Sequence, residues 1–301
     1  MASTYNPMLQ NDDRYQTVLK TFWKFSTQHQ VQREFIRSTL PDILASIGNG
    51  KSQMNIIGVG SGEGKLPKKC KVDVEMLSQL RLKHPGLLLE NEVVEPSAQR
   101  IHKFREMVAD MSDLDPVKFI WNQMTASEFE EQWRQREIKK KADFIHLFHV
   151  LYFVEDAGAT ISFFQSLLEK NGKLLINIVS GKSHYMNLWA IFHKELRPQK
   201  LEVPFMNSTY IKKLLDKRGV PYQSYELQCV LDITACFTEG DETGEILLDF
   251  VTHTIFFSKT ASPDLKQRIL RRLRDAQCSV EKDGRILFNI NQEMIILEAL
   301  S

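Results

Sequence analysis

The sequence predicts an α/β fold in which helices flank a mostly parallel β-sheet. Apolar runs of strand length alternate with amphipathic helical patterns along the chain, which favours a sheet covered on both faces. A glycine-dense turn at 58–64 follows the apolar run 55–57, and a second apolar run at 92–94 ends at Glu95. A strand, a glycine turn and an acid that closes the next strand indicate a βαβ unit.

The glycine turn and Glu95 have the chemistry of a site for an adenosine-type cofactor. Glycines let the backbone pass close to a ligand at angles that other residues avoid. A carboxylate at the end of the second strand can accept hydrogen bonds from both hydroxyls of a ribose. The alternative is a glycine-rich surface loop between a strand and a helix, because short motifs give false positives.

The spacing of the glycines separates two classes of cofactor site. A dinucleotide fingerprint requires Gly-x-Gly-x-x-Gly. Counted from Gly58 the last position is Glu63, and counted from Gly60 it is Lys65, so neither register fits. This weakens the interpretation as a Rossmann dehydrogenase. The alternating Gly-x-Gly-x-Gly resembles the pattern of class I methyltransferases.

Composition limits the class of protein and its partners. With 301 residues, 43% hydrophobic and 26% charged, the chain is typical of a soluble globular protein, and we predict a single domain over 1–301. The 39 Lys and Arg nearly balance the 38 Asp and Glu, which gives a net charge of +1. Because phosphate binding requires a basic surface, we do not expect nucleic acid as the main partner.

Cysteine usage and the N-terminal composition predict a cytoplasmic protein. Cys70, Cys229, Cys236 and Cys278 are widely spaced without metal-type pairing, which favours reduced thiols and no metal site. Residues 1–14 are polar and contain no apolar segment of signal-peptide length. No run approaches the roughly eighteen apolar residues that span a membrane, so a membrane is not expected as a partner.

Two amphipathic helices are predicted before the first strand. Tyr15, Val18, Phe22 and Phe25 recur at helical spacing and form an aromatic-rich stripe. This stripe either packs on the core or forms a lid over a flat aromatic substrate. The second helix is predicted near 33–47.

The elements predicted after Glu95 are a helix at 96–111, a strand at 117–121, a charged helix at 128–141, a strand at 142–152, a helix at 159–169, a strand at 173–179, a helix at 209–218, a strand at 222–233, a loop at 237–244, a basic helix at 263–276 and a strand at 285–297.

Two histidines lie in the strand predicted at 142–152. His146 lies within this apolar run. His149 lies at its carboxyl end, where open α/β sheets bind ligands. Tyr185 and Trp189 lie four residues apart, which is helical spacing. We interpret them either as core residues or as one wall of a pocket.

Three blocks of the sequence, 91–98, 143–152 and 287–289, resemble the histamine N-methyltransferase family. The similarity covers nearly the whole chain, and the block around Glu95 is the most specific. The resemblance implies a class I S-adenosylmethionine-dependent methyltransferase fold, with a mostly parallel seven-stranded sheet, flanking helices and an added part that covers the substrate. The segments expected to form this part are 12–48, 182–218 and 237–280. The resemblance also implies a monomeric, cytosolic enzyme that methylates a ring nitrogen of an imidazole.

The resemblance places the cofactor, S-adenosylmethionine, at five positions of this chain, Gly60, Glu95, Arg100, Ala126 and Phe148. Gly62 of the glycine turn and Thr125 are further candidate cofactor residues. Gly60 and Glu95 match the family pattern, whereas the family has a glutamine at position 100 and a serine at position 126. We therefore expect Arg100 and Ala126 to alter one polar contact each, and Thr125 could replace the lost hydroxyl.

The implied substrate site departs further from the family. Its positions are Tyr15, Gln28, His149, Tyr152, Trp189, Phe250 and Ile290. The family has a carboxylate at position 28, which binds the ammonium of histamine, a glutamine at position 149 and an asparagine at position 290. Gln28 lacks the charge that makes such a hydrogen bond strong, and Ile290 has neither donor nor acceptor. The retained aromatic positions suit a flat imidazole ring.

These departures predict an imidazole N-methyltransferase whose substrate is carnosine, because a site built to bind a polar group loses much affinity when the match is lost. Carnosine has the same ring and a second polar end, to which His149 could donate. The alternatives are a histamine N-methyltransferase with a rearranged site and a cofactor-binding relative without catalysis. No general base is assigned, although His149 is a candidate proton acceptor. The fold alone does not decide among these alternatives.

Overall fold

Two β-sheets with their helices make up the structure, a computed structural model that describes residues 12–48, 50–60, 72–196 and 206–300. The described residues form two compact units. The large-sheet unit comprises 32–48, 50–60, 72–178, 211–225 and 293–300, and the small-sheet unit comprises 12–31, 179–196, 206–210 and 226–292. The single domain expected over 1–301 remains a prediction.

The strands are β1 (Gln53–Val59), β2 (Leu88–Val94), β3 (Val117–Asn122), β4 (Ala142–Phe148), β5 (Leu168–Val179), β6 (Tyr222–Leu227), β7 (Val230–Asp232), β8 (Ser279–Lys282), β9 (Arg285–Asn289) and β10 (Gln292–Glu298). The helices are α1 (Asp12–Phe25), α2 (Gln28–Ser38), α3 (Leu40–Ile43), α4 (Val72–Lys83), α5 (Ala98–Ala109), α6 (Ala126–Gln135), α7 (Ala157–Ser166), α8 (His184–Leu196), α9 (Ser208–Lys217), α10 (Glu242–Thr252), α11 (Phe257–Thr260) and α12 (Pro263–Arg274).

The large sheet has seven strands in the order β3-β2-β1-β4-β5-β10-β6. The pairs β1–β2, β1–β4, β2–β3 and β4–β5 are parallel. The chain proceeds from β1 outward to β3 and then returns to place β4 on the other side of β1. The strand order therefore reverses at β1, which is the place where open α/β sheets bind ligands. The predicted α/β class with a mostly parallel seven-stranded sheet is confirmed.

Burial explains why the central strands form. Phe144, Ile145 and Leu147 of β4 are fully buried, as expected for a strand covered on both faces. The helices that follow the strands begin at capping side chains, such as Ser97 before α5 and Thr125 before α6. The strand predicted at 142–152 ends at Phe148, because the next residues turn into a short 3₁₀ helix.

The small-sheet unit is built on the antiparallel sheet β7-β9-β8. Helices α1 and α10 pack on each other through Val18 and Ile246. Three cysteines of this unit, Cys229, Cys236 and Cys278, are buried free thiols, whereas Cys70 lies outside the described residues. Within the described ranges, no helix is both long and apolar enough to cross a membrane.

Two predicted strands, 222–233 and 285–297, are each broken in the structure. The first divides into β6 and β7, and the second into β9 and β10, so that each half joins a different sheet. The Asn291 side chain accounts for both breaks, because its Oδ1 accepts the N–H of Cys229 at 3.0 Å and its Nδ2 donates to Gln228 at 2.9 Å. Its own N–H donates to Asn289 Oδ1, which forms a turn.

The helix boundaries also differ from the prediction, for example because the helices predicted at 128–141 and 159–169 are Ala126–Gln135 and Ala157–Ser166. The helix predicted at 33–47 is divided into α2 and α3, which meet at Thr39. The loop predicted at 237–244 includes the start of α10, which was not predicted. Asp241 caps this helix by accepting the N–H of Gly244 at 2.9 Å. The helix was missed because polar residues precede it and begin it, although most of its residues are buried within the small-sheet unit.

Candidate functional site

Gly60 directly follows β1 and has a conformation that favours glycine. Its φ is +72°, and its N–H donates to the carbonyl oxygen of Val94 at 2.9 Å. A Cβ at this position would lie 2.1 Å from Cγ2 of Val150, so space and backbone angle both exclude a side chain. The strand end therefore presents bare backbone. Gly62, the other predicted glycine of the cofactor site, lies outside the described residues.

Glu95 lies at the neighbouring strand end, because β1 and β2 pair in parallel register up to their last residues. Its side chain is buried, and its carboxylate accepts the N–H of Ser97 at 3.0 Å. Arg100 Nη1 lies 3.7 Å from the same carboxylate. The structure thus brings together Gly60, Glu95 and Arg100, three predicted cofactor residues, and Arg100 partly balances the charge of Glu95.

Thr125 and Ala126 begin α6 after β3. The Thr125 hydroxyl is part of a capping box, in which its oxygen accepts the N–H of Glu128 at 3.2 Å and the Glu128 carboxylate accepts the N–H of Thr125 at 2.7 Å. Hydrogen bonds from the backbone and hydroxyl of Thr125 lower the pKa of Glu128. The hydroxyl that was expected to replace a missing serine is therefore already used to cap the helix.

Phe148 and His149 lie at the end of β4, on the other side of β1. His149 has a φ of +53°, and its N–H donates to the carbonyl oxygen of Asn177 at 3.1 Å. Its ring stacks on Tyr152 with a centroid distance of 6.0 Å. Burial lowers the pKa of His149 to about 4, so the ring is neutral at physiological pH. By contrast, His146 is buried inside β4, 3.4 Å from the Asp73 carboxylate.

The ends of β2, β1 and β4 together fit an adenosine-type cofactor. Gly60 supplies bare backbone at the central strand, and the buried carboxylate of Glu95 suits two ribose hydroxyls. The partly exposed ring of Phe148 supplies an apolar face on the opposite side of Gly60, and the carbonyl oxygen of Phe148 would lie 3.5 Å from a Cβ at Gly60. The bare backbone of Gly60, with the buried carboxylate of Glu95 at the adjacent strand end, is the observation that supports the fit.

The small-sheet unit contains a cluster of rings, the aromatic group, which consists of Tyr15, Phe22, Tyr185, Trp189, Phe250 and His253. Phe250 stacks on Phe22 at 4.0 Å and on Tyr185 at 6.1 Å. Tyr15 and Phe250 also pack on the same buried residues, which join α1 to α10. The structure thus brings together three of the predicted substrate positions, since Trp189 contacts His253 and His253 contacts Phe250.

Gln28 and Ile290 lie in the same unit and are both 3% exposed. Gln28 begins α2, and Ile290 lies between β9 and β10 with its N–H donated to the carbonyl oxygen of Cys229 at 2.9 Å. Both positions are therefore interior rather than surface positions. The other predicted substrate residues, His149 and Tyr152, belong to the large-sheet unit.

His253 is the member of the aromatic group that sequence reasoning did not single out. It follows α10 directly, and α10 was not predicted. His253 is the C-cap residue of α10, and its ring lies 6.2 Å from that of Phe250. A helix assignment at 242–252 would have placed His253 at the end of the helix, close to Phe250.

Comparison with known proteins gives three similarities. Residues 27–224 match the family described as Methyltransferase domain. A histamine N-methyltransferase of Danio rerio is 48% identical over 99% of this chain and 100% of the relative, and one of Bos taurus is 39% identical over the same shares. Among solved structures, the YcgJ protein of Bacillus subtilis aligns with a TM-score of 0.50 at 11% identity, covering 91% of this chain and 100% of that one, a likeness of fold alone.

Proposed function

Because the chain belongs to the histamine N-methyltransferase family, we propose that it transfers a methyl group to a ring nitrogen of a small imidazole, with histamine as the substrate. It is an S-adenosylmethionine-dependent methyltransferase. The observation that supports histamine is the 48% identity to a histamine N-methyltransferase over the full length of both chains. The carnosine expected from the sequence is less well supported and becomes the second candidate. The cytoplasmic monomer expected from the sequence is retained within the proposal.

The residues at the ends of β1, β2 and β4 would hold the cofactor. Gly60 allows close approach to backbone, Glu95 would bind the ribose hydroxyls, and Phe148 would contact an apolar part. S-adenosylmethionine supplies a methyl group on a sulfonium, which is a good leaving group. The protein's main task is therefore to align the nucleophile, and correct positioning alone lowers a barrier substantially.

The aromatic group would hold the imidazole ring. A neutral imidazole has a nucleophilic lone pair near pH 7, because its pKa is about 6.5, and so no strong base is required. The ring gains positive charge during the reaction. The partly exposed face of Tyr15 would stabilise that charge through its ring quadrupole, whereas Trp189 is 1% exposed and supports the other rings of the aromatic group.

Carnosine is a second candidate because of two buried positions. Gln28 supplies no negative charge for an ammonium, and Ile290 supplies no hydrogen bond from its side chain. A substrate with a larger polar end would depend less on these two positions than histamine does. Both side chains are almost completely buried, so solvent does not compensate for the change.

The double substitution Gln28→Glu and Ile290→Asn tests whether the residues at positions 28 and 290 limit the methylation of histamine. Restoring a carboxylate and an amide should raise kcat/KM for histamine about ten- to hundredfold, because a charge-assisted hydrogen bond contributes about 1.5–3 kcal/mol. The measurement is the initial rate of methylation at low histamine concentration. Gln30→Glu is the matched control, since it introduces the same charge at an exposed position of α2.

Histamine turnover that stays constant or falls in a folded double variant would contradict the roles of positions 28 and 290. A parallel series with carnosine separates the two candidates. The same substitutions should leave carnosine turnover unchanged or lower it, because they add charge and polarity that match the shorter substrate.

A further inference from the structure

A hydrogen-bonded pair, Tyr185 and His253, lies within the aromatic group. The Tyr185 hydroxyl and His253 Nε2 share a hydrogen bond, which links α8 to the end of α10. The rings of Trp189 and Phe250 lie beside this pair. A few polar groups set among apolar and aromatic walls are typical of a site that fixes the orientation of a small ligand.

The backbone at His253 turns the chain away from α10. Its φ of +48° and ψ of 30° place the C-cap residue of α10 in the left-handed region. Glycine or asparagine often occupies such a position, and histidine is also enriched there.

The packing around His253 gives its ring a defined orientation. Trp189 is 1% exposed and contacts His253 edge to face, with a centroid distance of 5.3 Å and an interplanar angle of 80°. Tyr185, Phe250 and His253 are each partly exposed. The pair is therefore supported by a buried indole and lies beside the partly exposed ring of Phe250.

We propose that Tyr185 accepts the ring N–H of the imidazole substrate, and that His253 is the positioning residue that makes the tyrosine oxygen an acceptor. This inference rests on the proposed function and deepens it. When the phenol donates its proton to His253 Nε2, its oxygen lone pairs accept a donor from the ligand. A neutral imidazole has one N–H and one nitrogen with a lone pair, so binding the N–H here directs the other nitrogen away from the pair.

The consequence is selection of one nitrogen for methylation. The lone pair of the outward nitrogen forms the new N–C bond, the C–S bond breaks with its electron pair remaining on sulfur, and the ring N–H proton passes to water afterwards. The hydrogen bond to Tyr185 strengthens as the ring gains charge, because a charged donor binds more strongly. The contact is thus stronger in the transition state than in the bound substrate.

The test is the ratio of the two ring-N-methyl isomers formed from histamine, with methyl-labelled S-adenosylmethionine and chromatographic separation. The wild-type chain should give one isomer in large excess. Tyr185→Phe should lower that ratio about two- to tenfold, as expected for the loss of one hydrogen bond. His253→Asn should shift it in the same direction, although asparagine suits the left-handed backbone better. His193→Asn, on the same helix as Tyr185, is the control and should keep the wild-type ratio.

Wild-type isomer ratios in both folded variants would overturn the inference, and so would an equal mixture from the wild-type chain. Thermal unfolding establishes whether each variant is folded. If His253→Asn does not fold, Tyr185→Phe decides alone, because it removes a single oxygen atom. These outcomes leave the proposed function intact, whereas a wild-type chain that methylates no imidazole would overturn the proposed function together with this inference.

Discussion

His149 combines an unusual backbone with a neutral side chain. A φ of +53° is uncommon for a residue with a Cβ, and strained positions of this kind are concentrated at functional sites. Burial lowers the pKa of His149 to about 4, so its ring has one donor and one acceptor at neutral pH. The residue lies directly after Phe148 at the edge of the sheet where the cofactor is expected. It can therefore position a ligand without adding charge.

The pKa of His149 makes a prediction about stability in acid. An unfolded histidine binds a proton near its ordinary value of 6.5, whereas the folded one does so only near 4. The unfolded state thus gains protons first, and stability falls as the pH decreases from 6.5 towards 4. Between pH 7 and pH 5, the wild-type chain should lose about 2 kcal/mol more free energy of unfolding than His149→Asn. Urea unfolding at the two pH values measures this difference.

Asparagine is the suitable replacement because it tolerates the left-handed backbone and does not titrate. His193→Asn, which removes a histidine whose Nδ1 contacts the carbonyl oxygen of Ala190 on its own helix, is the control. Identical acid dependence of the wild type and His149→Asn would show that His149 does not resist protonation in the folded chain.

Strand β1 determines the geometry of the proposed cofactor site. It pairs in parallel with β2 on one side and β4 on the other, so its last residue is fixed by two ladders. Gly60 follows directly and donates its N–H to Val94. A shift of β1 therefore cannot make room for a side chain at position 60, because both neighbouring strands hold β1 in place. The position of the bare backbone is therefore a property of the sheet.

Gly60→Ala should be much more harmful than Gly50→Ala. Both glycines have a positive φ, of +72° and +74°, so both substitutions cost about 1–2 kcal/mol of backbone strain. A Cβ at Gly50 meets nothing within 4 Å, whereas one at Gly60 would lie 2.1 Å from Val150 Cγ2. Gly60→Ala should therefore show the larger fall in Tm and weaker binding of S-adenosylhomocysteine by calorimetry.

The double variant Gly60→Ala with Val150→Ala provides a direct check on the steric cause. Removing Val150 Cγ2 should recover part of the binding lost by Gly60→Ala, with Val150→Ala alone as the reference. If Gly60→Ala and Gly50→Ala bind the ligand and unfold alike, the close approach at Gly60 has no role in the site.

The sequence was sufficient to predict much of the large sheet. Alternating apolar runs and helical patterns were correct for β1 to β5 because those strands are buried by neighbouring segments of the chain. Gly60 and Glu95 also follow the ends of adjacent strands, as the sequence predicted. These features depend on local patterns and on the parallel connection of successive strands.

The remaining features depend on contacts between distant segments. The side chain of Asn291 bonds Cys229 and Gln228 across more than sixty residues of sequence, and no local pattern predicts that two strands are interrupted there. His253 joins the aromatic group only because α8 and α10 place Tyr185 beside it. The capping role of the Thr125 hydroxyl was not predicted either, because a threonine after a strand can bind a ligand or cap the next helix.

The most direct test of the account is a side-by-side methylation assay with the purified chain. Methyl-labelled S-adenosylmethionine would be mixed with histamine or carnosine, each at the same low concentration, and the products separated. We expect label on the imidazole ring of histamine at a higher rate than on carnosine. Label on carnosine without label on histamine would contradict histamine as the substrate and favour the second candidate. Label on neither would contradict imidazole methylation itself.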